Sequence, residues 1–273
     1  MIPFLYRVSS PPAELKDYVR LFWSLEASPN SNEPFPYRLM ADGCAELLFV
    51  YRGSFYEMEA DGTQQKVKPG LYAQSERFRN FASFGSFGIF GVYVLPSLFP
   101  ILCSLSAPGL NNRILSFEEI LGKVGRSWED QVCSAQNNSE RKRIVSDLIL
   151  QAIREKETPK AFRIRQAVQS ILQNNGNVSM DSFGSLFSQS SRQLERDFKQ
   201  LIGFSPKFFS RLIRFRSVLE NGNLGSLTTL AQTSGYYDQS HFIREFREFA
   251  GYTPRDFFSG KTEQPNAIPG EME

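Results

Sequence analysis

Along the first hundred residues the apolar positions come in short runs, whereas along the last hundred they recur every three or four residues. The runs Tyr18–Glu26 (YVRLFWSLE) and Glu46–Tyr51 (ELLFVY) are rich in aromatic and branched residues and predict strands. Phe55–Glu59 and Lys66–Lys68 flank a turn containing Asp61-Gly62, which predicts a hairpin. Phe78–Phe84 and Phe87–Leu95 add two Phe-rich strands interrupted by glycine. Several short strands at this spacing predict a sandwich or barrel.

From about residue 95 the pattern turns helical. Ser116 and Glu119 have capping-box spacing, and Ile144, Leu148 and Ile149 share one face of a helix over 139–156. The polar run from Glu155 to Lys160, with Pro159 in it, marks a domain boundary. Beyond it, Ile164, Ala167, Val168, Ile171 and Leu172 form an amphipathic stripe over 160–175, closed by Asn175-Gly176.

The C-terminal pattern then repeats. Residues 191–209 align without gaps on residues 239–257, with Arg196 on Arg244, Phe198 on Phe246, Gly203 on Gly251, Pro206 on Pro254 and Phe209 on Phe257. Each copy predicts a short helix, a turn and a longer helix: 179–187 then 191–202, and 226–233 then 239–250, with Gly235-Tyr236-Tyr237 at the second turn. That is the helix-turn-helix arrangement. Gly203 and Gly251 end the longer helices, and Ser205-Pro206 and Thr253-Pro254 cap the next ones. A helix over 206–220 connects the copies. Leu194, Phe198 and Leu201, and Phe242, Phe246 and Phe249, read as core. The opposite faces carry Arg192, Glu195, Arg196 and Lys199 in the first copy, and Gln239, Ser240, His241, Arg244 and Arg247 in the second. A solvated charged face is the bland account of either helix alone. Two such faces at one phase of a repeat point to double-stranded DNA, whose bases Arg and Gln read and whose phosphates Lys and Ser bind.

Charge agrees. The chain of 273 residues has a formal net charge of +2, but residues 160–261 carry 14 Lys/Arg against 8 Asp/Glu. The 3 cysteines, Cys44, Cys103 and Cys133, have no metal-binding or disulfide-scaffold spacing, and His241 is the single histidine. Histidine-based metal clusters are excluded, and any Ser-His-Asp or Cys-His dyad would have to use His241. The sequence therefore predicts no enzyme, metal or cofactor. Its N-terminus does not read as a signal peptide. The apolar stretch 87–105 contains Gly88, Gly91, Pro96 and Pro100, and reads as a buried strand and short helix rather than a membrane span.

The run Gly235-Tyr-x-Asp-Gln-Ser-His-Phe-x-Arg-x-Phe246 followed by Gly251-Tyr-Thr-Pro254, with Leu230-Ala231 before it, resembles the AraC/XylS family of bacterial transcription regulators. The resemblance covers about residues 160–258. It implies two helix-turn-helix units joined by a helix, reading adjacent major-groove segments. Base-reading positions then fall on Arg192, Glu195 and Arg196, and on Gln239, Ser240 and Arg244 with His241 beside them. The first unit departs from the pattern, with Gly184 for a small alanine and Ser188 for the turn glycine. Pro12-x-x-Leu15-x-x-Tyr18-Val-Arg, Asp42-Gly-Cys-x-Glu46-Leu and Gly91-Val resemble the N-terminal domain of one branch of the family, and imply a sensing or dimerising role.

The expected architecture is therefore α+β and multidomain. Residues 1–158 form a β-rich sandwich or barrel with a helical extension from about 95. Residues 159–260 form an all-α double helix-turn-helix, and 261–273 a disordered tail. The implied setting is the bacterial cytoplasm, nucleoid-associated when bound, with the transcription machinery as a partner. A small-molecule effector and a homodimer both fit the N-terminal role, and neither follows from residues. Asp42, Cys44 and Glu46 form the polar cluster to examine as a ligand site, since alternating positions share one face of a strand. They also leave an alternative: an enzyme or thiol-based sensor in this domain, with DNA binding secondary.

Overall fold

The computed structural model describes residues 4–28, 34–103, 107–179, 190–221 and 226–261. Ten strands are found among them: β1 Phe4–Ser9, β2 Val19–Ala27, β3 Phe35–Leu39, β4 Ala45–Arg52, β5 Tyr56–Met58, β6 Gln64–Lys66, β7 Gly70–Tyr72, β8 Arg79–Ser83, β9 Phe87–Val94 and β10 Ile114–Leu115. They make a six-stranded sheet in the order β1-β2-β9-β4-β7-β10 and a four-stranded sheet in the order β3-β8-β5-β6, with antiparallel pairing throughout. Four of these strands are not apparent in the sequence pattern. β7 and β10 are very short, β1 is an edge strand, and β3 contains Pro36, which an edge position tolerates.

The large sheet is buried on both faces, which explains the nearly continuous apolar runs. In β4, Ala45, Leu47 and Phe49 face a layer of helices, whereas Leu48 and Val50 face the small sheet. In β9, Phe90, Val92 and Val94 belong to the helical side, and Phe87, Ile89 and Tyr93 to the inter-sheet side. Gly91 shares that inter-sheet side, where a Cβ would lie 2.1 Å from the Trp23 ring, so no larger residue fits.

The helical layer comprises α1 Phe99–Leu102, α2 Phe117–Leu121, α3 Lys123–Ser134 and α4 Asn138–Lys156. The stretch from residue 87 folds as a strand, a 3-10 turn and a short helix, and among the described residues no helix is long and apolar enough to cross a membrane. Ser116 and Glu119 make the capping box that opens α2. The sequence pattern does not mark α3, which packs Trp128 and Val132 beneath the sheet.

After a two-residue break come α5 Pro159–Gln173, α6 Ser191–Ile202, α7 Pro206–Asn221, α8 Leu227–Thr233, α9 Gln239–Ala250 and α10 Pro254–Phe258. The short helix expected over 179–187, with Gly184 and Ser188, lies outside the described residues save for Ser179. So does the tail after Lys261.

The two halves are joined by more than the chain. Met40 and Ala41, on the loop between β3 and β4, are buried in the core of the C-terminal helices. The Ala41 amide donates to the Phe249 carbonyl of α9 at 3.1 Å. Burying Met40 is worth about 2 kcal/mol against about 1 kcal/mol for the hydrogen bond, so packing dominates and the bond sets the register. Next to them, Gly43 adopts φ +80°, where a Cβ would stand 3.1–3.4 Å from Phe209, Ile213 and Leu212 of α7. Around this seat Arg20 bridges Asp42 (3.1 Å) and Glu220, and the Asn111 side chain donates to the Gly203 carbonyl at 3.0 Å. Arg165 joins Asp17 (2.6 Å) to Glu157 (3.0 Å) across the α4–α5 break.

Gly43→Ala is expected to lower stability by about 1–2 kcal/mol from the left-handed backbone, and by more from contact with α7. Gly62→Ala, also at positive φ but with nothing within 4 Å, is expected to suffer only the backbone effect. Urea unfolding midpoints compare the two. Equal losses would mean that the loop does not press on α7.

Candidate nucleic-acid interface

The second helix-turn-helix is fully described. Ser226 caps α8, and the Asp238 side chain caps α9 by accepting from the His241 amide at 2.7 Å. In the turn between them the Tyr236 amide donates to the Ala231 carbonyl at 2.9 Å, and the Tyr236 ring packs on Phe242. Arg214 of α7 donates to the Gly235 carbonyl at 2.7 Å, so the connecting helix holds the turn directly. Phe242, Phe246 and Phe249 are buried as the stripe predicts, and Gly251 ends the helix in the left-handed conformation.

On the outer face of α9, Ser240, Arg244 and Arg247 are exposed. Gln239 is half-buried, its amide oxygen accepting from Thr228 Oγ1 at 2.9 Å, which leaves its NH₂ group for other partners. His241 is placed differently from these. Its ring meets Tyr236, and its Nε2 lies 3.6 Å from Glu245, so it turns along the helix toward the core.

In the first unit α6 is capped by Ser190, whose hydroxyl accepts from the Gln193 amide, and it buries Leu194, Phe198 and Ile202, with Leu201 half-buried. Arg192, Glu195, Arg196 and Lys199 are all exposed. Arg196 takes a hydrogen bond partner in Gln193 at 2.7 Å. Among the described residues no ion pair engages Arg192, Glu195, Lys199, Arg244 or Arg247. Arg196 and Arg244, and Lys199 and Arg247, occupy matching positions of the repeat, so the two helices present cations at the same phase.

Two buried acids were not singled out from the sequence. Asp197 pairs with Lys160 of α5 at 2.9 Å, and Glu245, 1% exposed, pairs with Arg211 of α7 at 2.6 Å. Burial alone would raise the Asp197 carboxyl, but hydrogen bonds from Gln193 and Lys160 and the Lys160 charge hold it below the usual range. Both acids occupy the same place in the repeat, and each ties its recognition helix to the long helix before it. The available signal was an acid on an otherwise apolar stripe. A third residue, Tyr237, is 92% exposed at the turn, immediately before the cap of α9. An aromatic ring left that open beside a recognition helix is its own signal.

The polar cluster of the N-terminal domain divides. β4 begins at Ala45, so Asp42 and Cys44 precede the strand and do not share a strand face with Glu46. Asp42 accepts from the Cys44 amide at 3.0 Å and pairs with Arg20. Cys44 receives the Arg216 guanidinium at 3.6 Å, so both residues belong to the contact between the domains. Burial pushes the Cys44 thiol up to about 12, Asp42 acts in the same sense, and Arg216 and Arg20 only partly offset them. Glu46 instead points between the sheets, with Tyr93 and Tyr72 as its register partners on the flanking strands. No group of three or more His, Cys, Asp or Glu able to hold a metal is found among the described residues.

A helix-turn-helix domain model matches residues 185–260, and a model for a domain of unknown function, DUF6597, matches residues 7–116. The HTH-type transcriptional activator RhaS of Escherichia coli (strain K12 / DH10B) is 33% identical over 87 residues, which is 31% of this chain and 31% of RhaS. The chain thus matches under a third of the length of these curated relatives. Among solved structures, ToxT from Vibrio cholerae O395 aligns over 95% of this chain and 98% of its own, at 12% identity and a TM-score of 0.43. An AraC-type regulator from Chromobacterium violaceum aligns over 38% of this chain and 95% of its own, at 25% identity and a TM-score of 0.34. The signature of α8 and α9, its repeat in α6, the helix-turn-helix model over residues 185–260 and the 33% identity to RhaS over 87 residues support a C-terminal helix-turn-helix domain like that of AraC/XylS-type regulators.

Proposed function

We propose that this protein is a sequence-specific transcription regulator that lays α6 and α9 in adjacent major-groove segments of one DNA face. The observation that carries this reading is the pair of recognition helices with exposed cations at the same phase, each anchored on its inner side by a buried acid paired with a partly exposed base on the preceding long helix. Arg192, Arg196 and Arg244 are the base readers in this reading, with Gln239 and Glu195 as further base contacts. Lys199, Ser240 and Arg247 bind phosphate and set the register. His241 supports α9 through Glu245, and Tyr237 adds a phenol at the groove edge.

The N-terminal domain is the controlling part in this proposal. Between its sheets, Tyr6 Oη, Tyr37 Oη, Trp23 Nε1 and Glu46 Oε1 are buried without a hydrogen-bond partner among the described residues. Trp23 stacks on Tyr37 with ring centroids 6.3 Å apart. Unpaired buried donors and an acceptor beside aromatic walls support a small polar effector as the signal. The 40–44 loop leads from this interior to α7 and α9, and is the route by which such a signal reaches the DNA-binding helices. A thiol switch at Cys44 is not favoured, because a thiol raised so far holds little thiolate at neutral pH.

Selection of genomic duplexes by the full chain is expected to enrich a site with two half-sites about one helical turn apart. Arg196→Ala and Arg244→Ala are each expected to relax preference in one half-site, by about 1–3 kcal/mol, measured by competition binding. Enrichment of no sequence would sink the reading.

A second prediction concerns pH. Burial pushes the Glu46 carboxyl up to about 8, with a hydrogen bond from Tyr93 and the Arg79 charge acting against the rise and Asp42 adding to it. Unfolded, the same group titrates at about 4.3. Between those values the folded state holds the extra proton, so the stability that a neutral Glu46 allows is complete below about pH 4.3 and declines until about pH 8. Thermal midpoints of Glu46→Gln are therefore expected to gain on the unaltered protein as pH rises from 5 to 8. A constant gap between the two would contradict it.

A further inference from the structure

Beside the second recognition helix, the N-terminal domain contributes a wall of its own. A cleft of about 700 Å³ opens between the loop joining β7 to β8 and the outer face of α9. Arg77 and Phe78 line one side, and Ser240, Arg244 and Arg247 the other.

The wall is held firmly. The Ser75 hydroxyl donates to the Arg77 carbonyl at 2.5 Å, and the Glu76 amide donates to Asn112 Oδ1 at 3.0 Å. Phe78 lies against the Arg38 guanidinium, 4.6 Å from the ring centroid, and Arg38 also covers the Tyr252 ring at 4.1 Å. The backbone of Arg77 is thereby fixed relative to the C-terminal end of α9, while its side chain is exposed.

The charges decide what the cleft accepts. Among the described residues no carboxylate pairs with Arg77, Arg244 or Arg247. Glu248, the acid in the same cleft, lies 3.6 Å from Arg211, and the exposed Glu76 stands beside Arg77 in the loop. A loop built to mask a recognition helix would set acids against its arginines, as DNA does. This loop sets a third arginine there. Like charges facing one cleft repel until a polyanion enters, and the polyanion that belongs at a recognition helix is the phosphate backbone.

We propose that Arg77 binds backbone phosphates of the duplex read by α9, so that the β7–β8 loop extends the DNA-binding surface onto the N-terminal domain. The inference rests on the DNA-binding reading above.

The test uses the full chain and a duplex selected by the unaltered protein, with affinities measured across a range of salt concentrations. Arg77→Ala is expected to weaken all duplexes alike, by about fivefold at low salt. The slope of log affinity against log salt should fall by about 0.9, with base preference unchanged. Arg77→Glu should weaken binding further, and Arg77→Lys should keep most of it. Unfolding midpoints should not move, because the side chain is exposed. If Arg77→Ala leaves affinity and slope as they were while Arg244→Ala loses sequence preference, the inference fails and the regulator reading stands. Tighter binding by Arg77→Ala or Arg77→Glu would make the loop a mask, and overturns the inference. If the unaltered protein selects no duplex, the regulator reading fails and takes the inference with it.

Discussion

The seating of the 40–44 loop on α7 and α9 is the contact on which the arrangement of the whole molecule depends. Met40 and Ala41 complete a hydrophobic core made otherwise of C-terminal helices, and the bond from Ala41 to Phe249 fixes where on α9 they sit. Asp42 and Cys44 continue the contact with Arg20 and Arg216. The β4 strand starts at the next residue, so any shift of the large sheet along β4 is felt at the connecting helix. The same strand carries Glu46 into the space between the sheets. Interior chemistry and helix placement are thus separated by only a few residues of chain.

The recognition helices are held in place for a different reason. Each recognition helix buries an apolar stripe, aromatic in α9 and mostly aliphatic in α6, but a stripe alone permits small rotations about the helix axis. A buried acid paired with a base on the neighbouring helix removes that freedom, because rotation would strand a charge away from water. Asp197 with Lys160, and Glu245 with Arg211, act in this way on the two helices. Arg214, reaching from α7 to the turn carbonyl of Gly235, holds the second unit at another point.

Much of this was legible in the chain, and the exceptions have physical causes. α9 is bounded by Asp238 and Gly251 as its capping residues dictate, and α2 by the capping box of Ser116 and Glu119. The apolar run from Phe87 reads as a buried strand because proline and glycine break it, and β9 is that strand. β3 is not legible in the pattern because Pro36 argues against a strand unless its position at the sheet edge is given. The grouping of Asp42, Cys44 and Glu46 failed because Gly43 turns the chain, so alternation begins only after it. His241 and Glu245 could be placed on α9 from spacing, yet which one faced inward depended on Arg211, far away in sequence. Arg77 gave no signal at all, since only the packing of the domains brings its loop to α9.

The acid–base pairs also say where one copy of the repeat begins. Helices start at Pro159, Pro206 and Pro254, each behind a capping Thr158, Ser205 or Thr253 whose hydroxyl accepts from a backbone amide. Lys160 follows the first of these starts and Arg211 the second, so each anchor lies inside the copy that contains its recognition helix. The arrangement that recurs is therefore longer than the helix-turn-helix. It includes the supporting helix and its ion pair, so each reader has its own mounting. On that reckoning α10, from Pro254 to Phe258, opens in the same way as α5 and α7, with a capping hydroxyl and a proline at its first position.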